Sequence, residues 1–188
     1  MKGALIILGV LVVGALIVGG WLFGTRNELV REKNDIQGKW AQVDNNLKRR
    51  ADLIPNLVET VKGYAKQETT IFGEIAEARS RMLNAPTPQE KIDANNQLSG
   101  VLGRLLVLQE SYPNLKSNEN FQRLQDELAG TENRLAISRR DYNDAITKYN
   151  SDLEVFPASI AASIFGFKRN DAYFQTTAEE KKVPQVKF

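Results

Sequence analysis

The sequence has 188 residues, 42% of them hydrophobic, and a formal net charge of +2 from 25 Lys and Arg against 23 Asp and Glu. This length suits one domain of ordinary size plus an anchor, and the interleaved charges lack the basic patch of a nucleic-acid-binding protein. Cysteine and histidine are both absent, which excludes disulfides, Cys/His zinc sites and a Ser-His-Asp triad, so we expect no enzyme activity and no cofactor.

The first predicted element is a membrane-spanning helix. Residues 4–23 carry no charge, which matches the roughly 20 residues that a helix needs to cross the hydrocarbon core. The rival interpretation is a secretory signal peptide, but the stretch ends in Trp21 and Phe23 without a small-x-small cleavage site. These aromatic residues are typical of a membrane interface, so we expect an uncleaved anchor with the lipid bilayer as its partner. The anchor residues of interest are Ala4, Gly20, Trp21, Phe23 and Gly24.

Small residues recur at intervals of four along the anchor. Gly20 and Gly24 form one such pair, and Ala15 with Gly19 forms another. Pairs of this kind let two membrane helices approach closely, which would support the homo-oligomer that we expect. Taken alone, the pattern favours a monomeric anchor that tolerates its glycines.

The charges around the anchor bear on its orientation. Only Lys2 precedes it, whereas Arg26, Arg31, Lys33 and Lys39 follow it. The positive-inside rule therefore favours a cytoplasmic domain, although large domains translocate regardless of flanking charge. The side of the membrane stays open.

Beyond the anchor, apolar residues recur at intervals of three and four, which is typical of helices. The first stripe predicts one very long helix that ends at Asn84. We expect Pro55 to interrupt or bend it, because proline removes a backbone hydrogen bond, and Asp52 to cap the restarted helix. The stripe consists of Ile36, Trp40, Val43, Leu47, Ala51, Ile54, Val58, Val61, Ala65, Ile71, Ile75, Ala78 and Met82.

A second long helix is predicted after the break at Asn84. Thr87 and Glu90 form a capping box, with Pro88 at the first helical position. Pro113 is predicted to end this helix. Its stripe consists of Ile92, Leu98, Val101, Leu102, Leu105, Leu108 and Tyr112.

A third long helix and a short fourth one follow. Ser117 is the expected cap of the third helix and Pro157 its end, while Gly166 closes a short helix over 157–164. The third stripe is a regular heptad of Phe121, Leu124, Leu128, Thr131, Leu135, Ser138, Tyr142, Ala145 and Tyr149. Its alternating large and small members suit close packing.

The short connections between these helices favour antiparallel neighbours within one chain over a coiled coil between chains. The predicted fold class is all-α, with an N-terminal transmembrane helix followed by an antiparallel bundle of three long helices and a short fourth. We expect an anchor over residues 1–25, a helical bundle domain over 26–167, and an extended tail over 168–188 that is either docked or disordered.

Two clusters qualify as candidate sites. The first contains Arg49, Arg50, Asp52, Pro55 and Asn56; it is either an interaction site or a set of solvated helix residues around a cap. The second consists of Tyr142-Asn143 and Tyr149-Asn150, two pairs seven residues apart on one helical face. Core packing is the favoured interpretation of these tyrosines and a ligand platform the alternative. Binding of calcium or magnesium by carboxylates alone also stays open, without a loop motif to support it.

Several segments together carry a family resemblance. They are Arg49–Ala65, Ala78-Arg79, Tyr112–Ser117 with its Tyr112-Pro113, Thr131–Arg134, Arg140–Asn143, Tyr149-Asn150, Phe156-Pro157, Phe165–Phe167 and Val186–Phe188. With these segments, which span essentially the whole chain after the anchor, the sequence closely resembles the LemA family of bacterial membrane proteins.

The resemblance implies a bacterial inner or plasma membrane protein with one N-terminal span and an antiparallel helical domain. One branch resembling the family takes part in forming magnetosome membranes, which implies a role in organising or shaping membrane. The leading hypothesis is a non-enzymatic scaffold that self-assembles at the membrane. The alternative is an adaptor that binds a membrane protease, transporter or signalling protein through residues 49–56 or the tail.

Overall fold

The structure is a computed structural model that describes residues 2–175, apart from the side chain of Ala4. The described chain contains helices and no strand, which confirms the all-α prediction. It divides into two compact units: unit 1 contains residues 2–39 and 144–171, and unit 2 contains residues 40–143 and 172–175. The helices are α1 (Lys2–Lys62), α2 (Thr69–Asn84), α3 (Pro88–Val107), α4 (Pro113–Lys116), α5 (Glu119–Glu154) and α6 (Ala158–Phe165), with a 3-10 turn at Leu108–Glu110.

Helix α1 continues through Pro55, so the prediction that this proline interrupts the helix is wrong. Proline has no N–H to donate to the carbonyl four residues earlier, which belongs to Ala51. Arg79 of α2 supplies the missing donor, because its Nε lies 2.8 Å from the Ala51 carbonyl oxygen. The expected cap at Asp52 is also wrong, since Asp52 is an exposed residue inside the helix.

The break falls later than predicted, so that the single long first helix is in fact α1 and α2. Helix α1 ends at Lys62; the Gly63 amide still donates to the Glu59 carbonyl at 3.3 Å, and the following amides, of Tyr64 and Ala65, both donate to the Val61 carbonyl at 2.9 Å. Gly63 opens this turn, and glycine is poorly suited to helix interiors. Ile75, Ala78 and Met82 of the predicted stripe form the buried face of α2, together with Phe72, which the stripe did not include; Ile71 is half-buried.

Unit 2 is built mainly from α1, α2, α3 and α5. Two contacts run in step along α1 and α3, Asp44 with Lys91 and Arg50 with Asn95, which makes these helices parallel. Two further contacts, Asn46 with Ser138 and Arg50 with Glu132, make α1 and α5 antiparallel. The centre is apolar and includes Leu47, Ile54, Ile75, Leu98, Leu105, Phe121 and Leu135.

The cap of α3 is confirmed: the Thr87 side chain accepts the Glu90 amide at 3.2 Å, and Pro88 is the first helical residue. The expected end at Pro113 is wrong, because α3 stops at Val107 and Pro113 instead begins the short helix α4. The expected cap at Ser117 is also wrong. Asn118 caps α5, with its Oδ1 accepting the Phe121 amide at 2.9 Å.

Unit 1 contains the first part of α1, the end of α5, and α6. Helix α6 ends as predicted at Gly166, whose φ of 70° suits glycine. The Phe167 amide donates to Ala162 at 3.0 Å, which completes a Schellman motif. Within the described chain, one helix, α1, is long and apolar enough to cross a membrane. Its large apolar side chains contact little of this chain, and the exposed ones include Leu5, Leu8, Leu11, Leu16 and Ile17.

Candidate functional site

The most polar part of the interior is a cluster around Arg50 in unit 2. The Arg50 side chain is 6% exposed, and its Nη1 lies 2.9 Å from Asn95 Oδ1 and 3.0 Å from Glu132 Oε2. Arg139 Nη1 lies 3.4 Å from the other Glu132 oxygen. Asn95 is fully buried. The cluster joins α1, α3 and α5 through these side chains.

Positive charge exceeds negative charge in this cluster, since two guanidinium groups share the Glu132 carboxylate. Burial lowers the pKa of Arg50; the Glu132 carboxylate opposes this effect and Arg139 adds to it. Arg50 Nε and Asn95 Nδ2 have no acceptor among the described residues. Nε and Nη2 of Arg139 also have no acceptor in the described chain. The Arg139 guanidinium lies over the Phe174 ring, 5.1 Å from its centroid, which adds a cation–π attraction.

The two Tyr-Asn pairs of α5 bind the backbone of the segment that follows α6. In unit 1, Asn150 Nδ2 donates to the Asn170 carbonyl at 2.7 Å, and the Asn170 amide donates to Asn150 Oδ1 at 2.9 Å. Tyr149 donates to the Lys168 carbonyl at 3.0 Å. The tyrosine is buried, but its hydroxyl and the neighbouring amide act on backbone rather than on a ligand.

The other pair acts in the same way in unit 2. Asn143 Nδ2 donates to the Phe174 carbonyl at 2.8 Å and Asn143 Oδ1 accepts its amide at 3.0 Å. The Phe174 ring then packs on Trp40 and Tyr142, with centroid distances of 6.2 and 6.0 Å. Residues 168–175 are therefore docked on α5, and the rest of the predicted tail lies outside the described residues.

Unit 1 has its own polar cluster. Lys148 bridges Glu32 and Asp152, with 3.0 Å between its Nζ and Asp152 Oδ2. These hydrogen bonds raise the pKa of Lys148. Burial raises the pKa of Glu32, and the hydrogen bond with Asp152 adds to this effect, while that same bond lowers the pKa of Asp152. The cluster ties α1 to α5 by charge.

The predicted cluster within residues 49–56 consists of one buried residue and several exposed ones in the structure. Arg50 points into the bundle, while Arg49, Asp52 and Asn56 are exposed on α1. Pro55 is exposed as well, and its effect on Ala51 is compensated as described above. The sequence neighbours therefore do not form one site.

The remaining predicted residues lie at helix ends. Tyr112 precedes Pro113, and its hydroxyl accepts Gln67 Nε2 at 2.8 Å. Phe156 and Pro157 separate α5 from α6, and Phe156 is the most exposed large apolar residue of the described chain outside the anchor.

The predicted anchor residues lie within α1, as expected. They are Gly20, Trp21, Phe23 and Gly24, together with the backbone of Ala4.

Comparison with known proteins bears on these residues directly. The family model described as LemA family matches residues 39–188, which is most of the chain. The chain belongs to the LemA family. The matched range contains Arg50, Arg79, Asn143 and Asn150, whose contacts hold its helices and the segment after α6 together.

Individual relatives agree with the LemA assignment. Magnetosome protein MamQ 2 of Paramagnetospirillum magneticum is 28% identical over 198 aligned residues, covering 92% of this chain and 72% of the relative. Protein LemA of Metamycoplasma hominis is 26% identical, covering 84% and 72%. Magnetosome protein MamQ of Magnetospirillum gryphiswaldense is 23% identical, covering 85% and 69%.

Several functional residues of this LemA chain are absent from the predicted set. Asn95 is fully buried, and its position three residues after Ile92 and three before Leu98, within an apolar stripe, does indicate burial. Arg139 and the contact of Lys148 with Glu32 had no such signal. Among residues 2–175, no three carboxylates lie close enough together to hold a metal ion.

Proposed function

We propose that this LemA protein is a membrane-anchored, non-enzymatic scaffold whose copies associate at the bacterial inner membrane and organise or shape it. One observation carries the proposal: four polar side chains of the resemblance segments hold the fold together. Arg50 joins three helices, Arg79 completes the backbone of α1, and Asn143 and Asn150 bind a docked segment. None of these four converges with a nucleophile or a general base on a cleft of the described chain, as a catalytic group would.

The relatives support a role at a membrane-bounded structure. Three of the four curated relatives carry the name magnetosome protein. Extending that role to this chain is part of the proposal, because a shared fold does not by itself fix function.

The anchor supports association between copies. A Cβ atom built at Gly20 or Gly24 meets no described atom within 4 Å apart from the adjoining residues and the backbone of the same helix, and this also holds for the other glycines of the anchor, so the described chain leaves room for a second helix there. Glycines four residues apart allow the backbones of two spans to pack closely.

The experiment is to extract the full-length protein in mild detergent, place it in nanodiscs or detergent micelles, and measure particle mass by mass photometry across concentrations. We expect oligomers, and we expect Gly20→Ile with Gly24→Ile to lower the oligomeric fraction. Gly14→Ile is the matched control, because Gly14 lies roughly 120° around the helix from Gly20. Strictly monomeric wild-type particles at every concentration would refute self-assembly.

A second candidate function, an adaptor for another membrane protein, is favoured by the exposed face of α1 that Arg49, Asp52 and Asn56 form. These positions follow a spacing of three and four residues, which places them on one side of the helix. Replacing Arg49 and Asp52 by Ala should remove the proteins that co-purify with the chain, while the mass distribution of the chain itself stays unchanged. Arg50 is unsuited to this test, because its loss would disturb the interior.

We also propose that the domain lies on the cytoplasmic side of the membrane, on the basis of the basic residues that follow the anchor. Protease treatment of spheroplasts tests this: the domain should survive in intact spheroplasts and be digested after lysis. Digestion without lysis would place it outside.

A further inference from the structure

Helix α6 exposes an apolar face that nothing in the described part of unit 1 covers. Ile160 and Ile164 lie one turn apart on α6 and are 47% and 62% exposed, and Phe156, in the turn before α6, is 76% exposed. Ala162 is buried on the opposite side of the helix from the two isoleucines, and Ala161 is buried on its flank. We call the three exposed side chains the apolar strip; exposed large apolar residues grouped in this way mark a surface that contacts a partner or a membrane.

The sequence around α6 has the character of a membrane-surface segment. No charged residue occurs over 155–167, and Glu154 and Lys168 border this range. A helix of this kind lies in the plane of the membrane interface with its apolar face among the acyl chains and its cationic neighbours at the headgroups.

The position of α6 identifies the occupant. The Phe165 ring lies 6.2 Å from the ring of Phe23, the last residue of the uncharged anchor stretch. The Arg26 guanidinium lies 5.7 Å from the Phe165 centroid, over the ring. Helix α6 is thus attached to α1 at the level where the anchor leaves the hydrocarbon core and enters the interface.

Several contacts hold α6 in place and thereby set the orientation of its exposed face. Gly166 closes the helix, and Tyr149 and Asn150 hold the backbone of Lys168 and Asn170 directly after it. Arg169 forms an ion pair with Glu154 across the two ends of the α6 region. Arg26 and Lys168 therefore provide the positive charge next to the apolar strip.

We propose that the face formed by Phe156, Ile160 and Ile164 inserts into the interface of the lipid bilayer beside the anchor, as a second membrane attachment of the same chain. The occupant is lipid rather than a second copy, because Phe165, the neighbour of Ile164 on α6, contacts Phe23 and Arg26 at the end of the anchor stretch, where the anchor meets the membrane interface. The proposal depends on the anchor and is independent of self-association.

The chain contains no cysteine, so single cysteines can be placed and labelled with a nitroxide in the full-length protein. Ile160→Cys and Ile164→Cys test the strip, and Ile137→Cys is the matched control, since Ile137 of α5 is 54% exposed but has arginines as neighbours. The labelled proteins are reconstituted in vesicles of phosphatidylcholine and phosphatidylglycerol. Power-saturation EPR then compares the access of oxygen, which concentrates in lipid, with that of a water-soluble nickel chelate.

We expect the ratio of oxygen access to nickel access to be several-fold higher at 160 and 164 than at 137. Equal ratios at all three positions would show that the strip faces water and would overturn the proposal. Shielding of 160 and 164 from both reagents would also overturn it, because the strip would then be covered by protein. Neither failure bears on oligomer formation, which particle mass measures separately.

Discussion

Replacing Glu132 by Gln tests whether the Arg50 cluster is held by charge compensation. Glutamine keeps the size of the side chain and one acceptor oxygen, but it removes the only negative charge among the described groups that contact Arg50 and Arg139 in this cluster. Two guanidinium groups would then share the interior without a counter-ion. Because only 6% of the Arg50 side chain is exposed, little water can reach its guanidinium group to take the place of the lost carboxylate.

The expected cost follows from this burial. Removing one partner of a buried ion pair costs about 3–5 kcal/mol, because the other charge is left buried. Since the Glu132 side chain is 41% exposed, we expect the lower end, about 3 kcal/mol of unfolding free energy. Arg50→Met should cost less, about 1–2 kcal/mol, because it removes the buried charge itself: Asn95 Oδ1 loses its donor, while Glu132 keeps Arg139 as a partner.

Urea denaturation of the full-length protein in detergent micelles measures the difference. In a Trp21→Phe background the remaining tryptophan is Trp40, whose ring lies 5.3 Å from that of Tyr142 in unit 2. Its fluorescence therefore reports on unit 2. Glu127→Gln is the control: this exposed carboxylate of α5 should change stability by less than about 0.5 kcal/mol.

The order of the two variants decides the matter. If Arg50→Met destabilises unit 2 as much as Glu132→Gln or more, then packing and hydrogen bonds hold the cluster and the charge argument is refuted. A double variant adds a check, since Arg50→Met should remove most of the cost of Glu132→Gln.

Two further predictions concern backbone groups that side chains satisfy. Asn150→Asp keeps the acceptor for the Asn170 amide but replaces the donor to its carbonyl by a carboxylate oxygen, so we expect a loss of about 1–3 kcal/mol and faster hydrogen exchange of the Asn170 amide. Arg79→Met should cost about 1–3 kcal/mol of unfolding free energy, because it leaves the Ala51 carbonyl unpaired. Pro55→Ala should reduce that cost, because alanine restores the helical N–H donor to this carbonyl. A double-mutant cycle of unfolding free energies measures the difference.

Each of these predictions has its own control. Asn133→Asp changes an exposed asparagine of the same helix and should leave exchange after α6 unaltered; equal effects of both Asp variants would point to helix charge rather than to the docked segment. For the arginine, a cost of Arg79→Met that is the same with and without the Pro55→Ala substitution would show that its hydrogen bond is unrelated to the proline.

Stripe and cap patterns were sufficient for much of the fold. The heptad of the third helix predicted most of the buried face of α5, including its small polar members Thr131 and Ser138; Leu124 and Ala145 are only half-buried, and Ile146 is buried outside the stripe. The sequence correctly predicts Thr87 and Gly166 as helix caps, because the role of a cap depends on backbone groups within a few residues of it.

Where tertiary contacts decide, the sequence pattern failed. Helix α1 continues through Pro55 because of a donor on another helix, Arg79, which no local rule includes. Arg50 is a partial case: it lies three residues after Leu47 and four before Ile54, in phase with the buried stripe. The phase indicates burial, but the partner Glu132 is far along the chain, and only the packing of α1 against α5 brings the two together.

The amide pairs of Asn143 and Asn150 give α5 the hydrogen-bonding pattern of a strand edge. Each reads one peptide N–H and one C=O, groups that every residue except proline presents in the same way. The hydrogen bonds that Asn150 makes to the backbone N–H and C=O at position 170 can be offered by any residue other than proline. Helix α5 therefore fixes the direction and the spacing of the docked backbone. As far as these hydrogen bonds are concerned, side chains of that segment can change in the course of evolution while the segment stays bound.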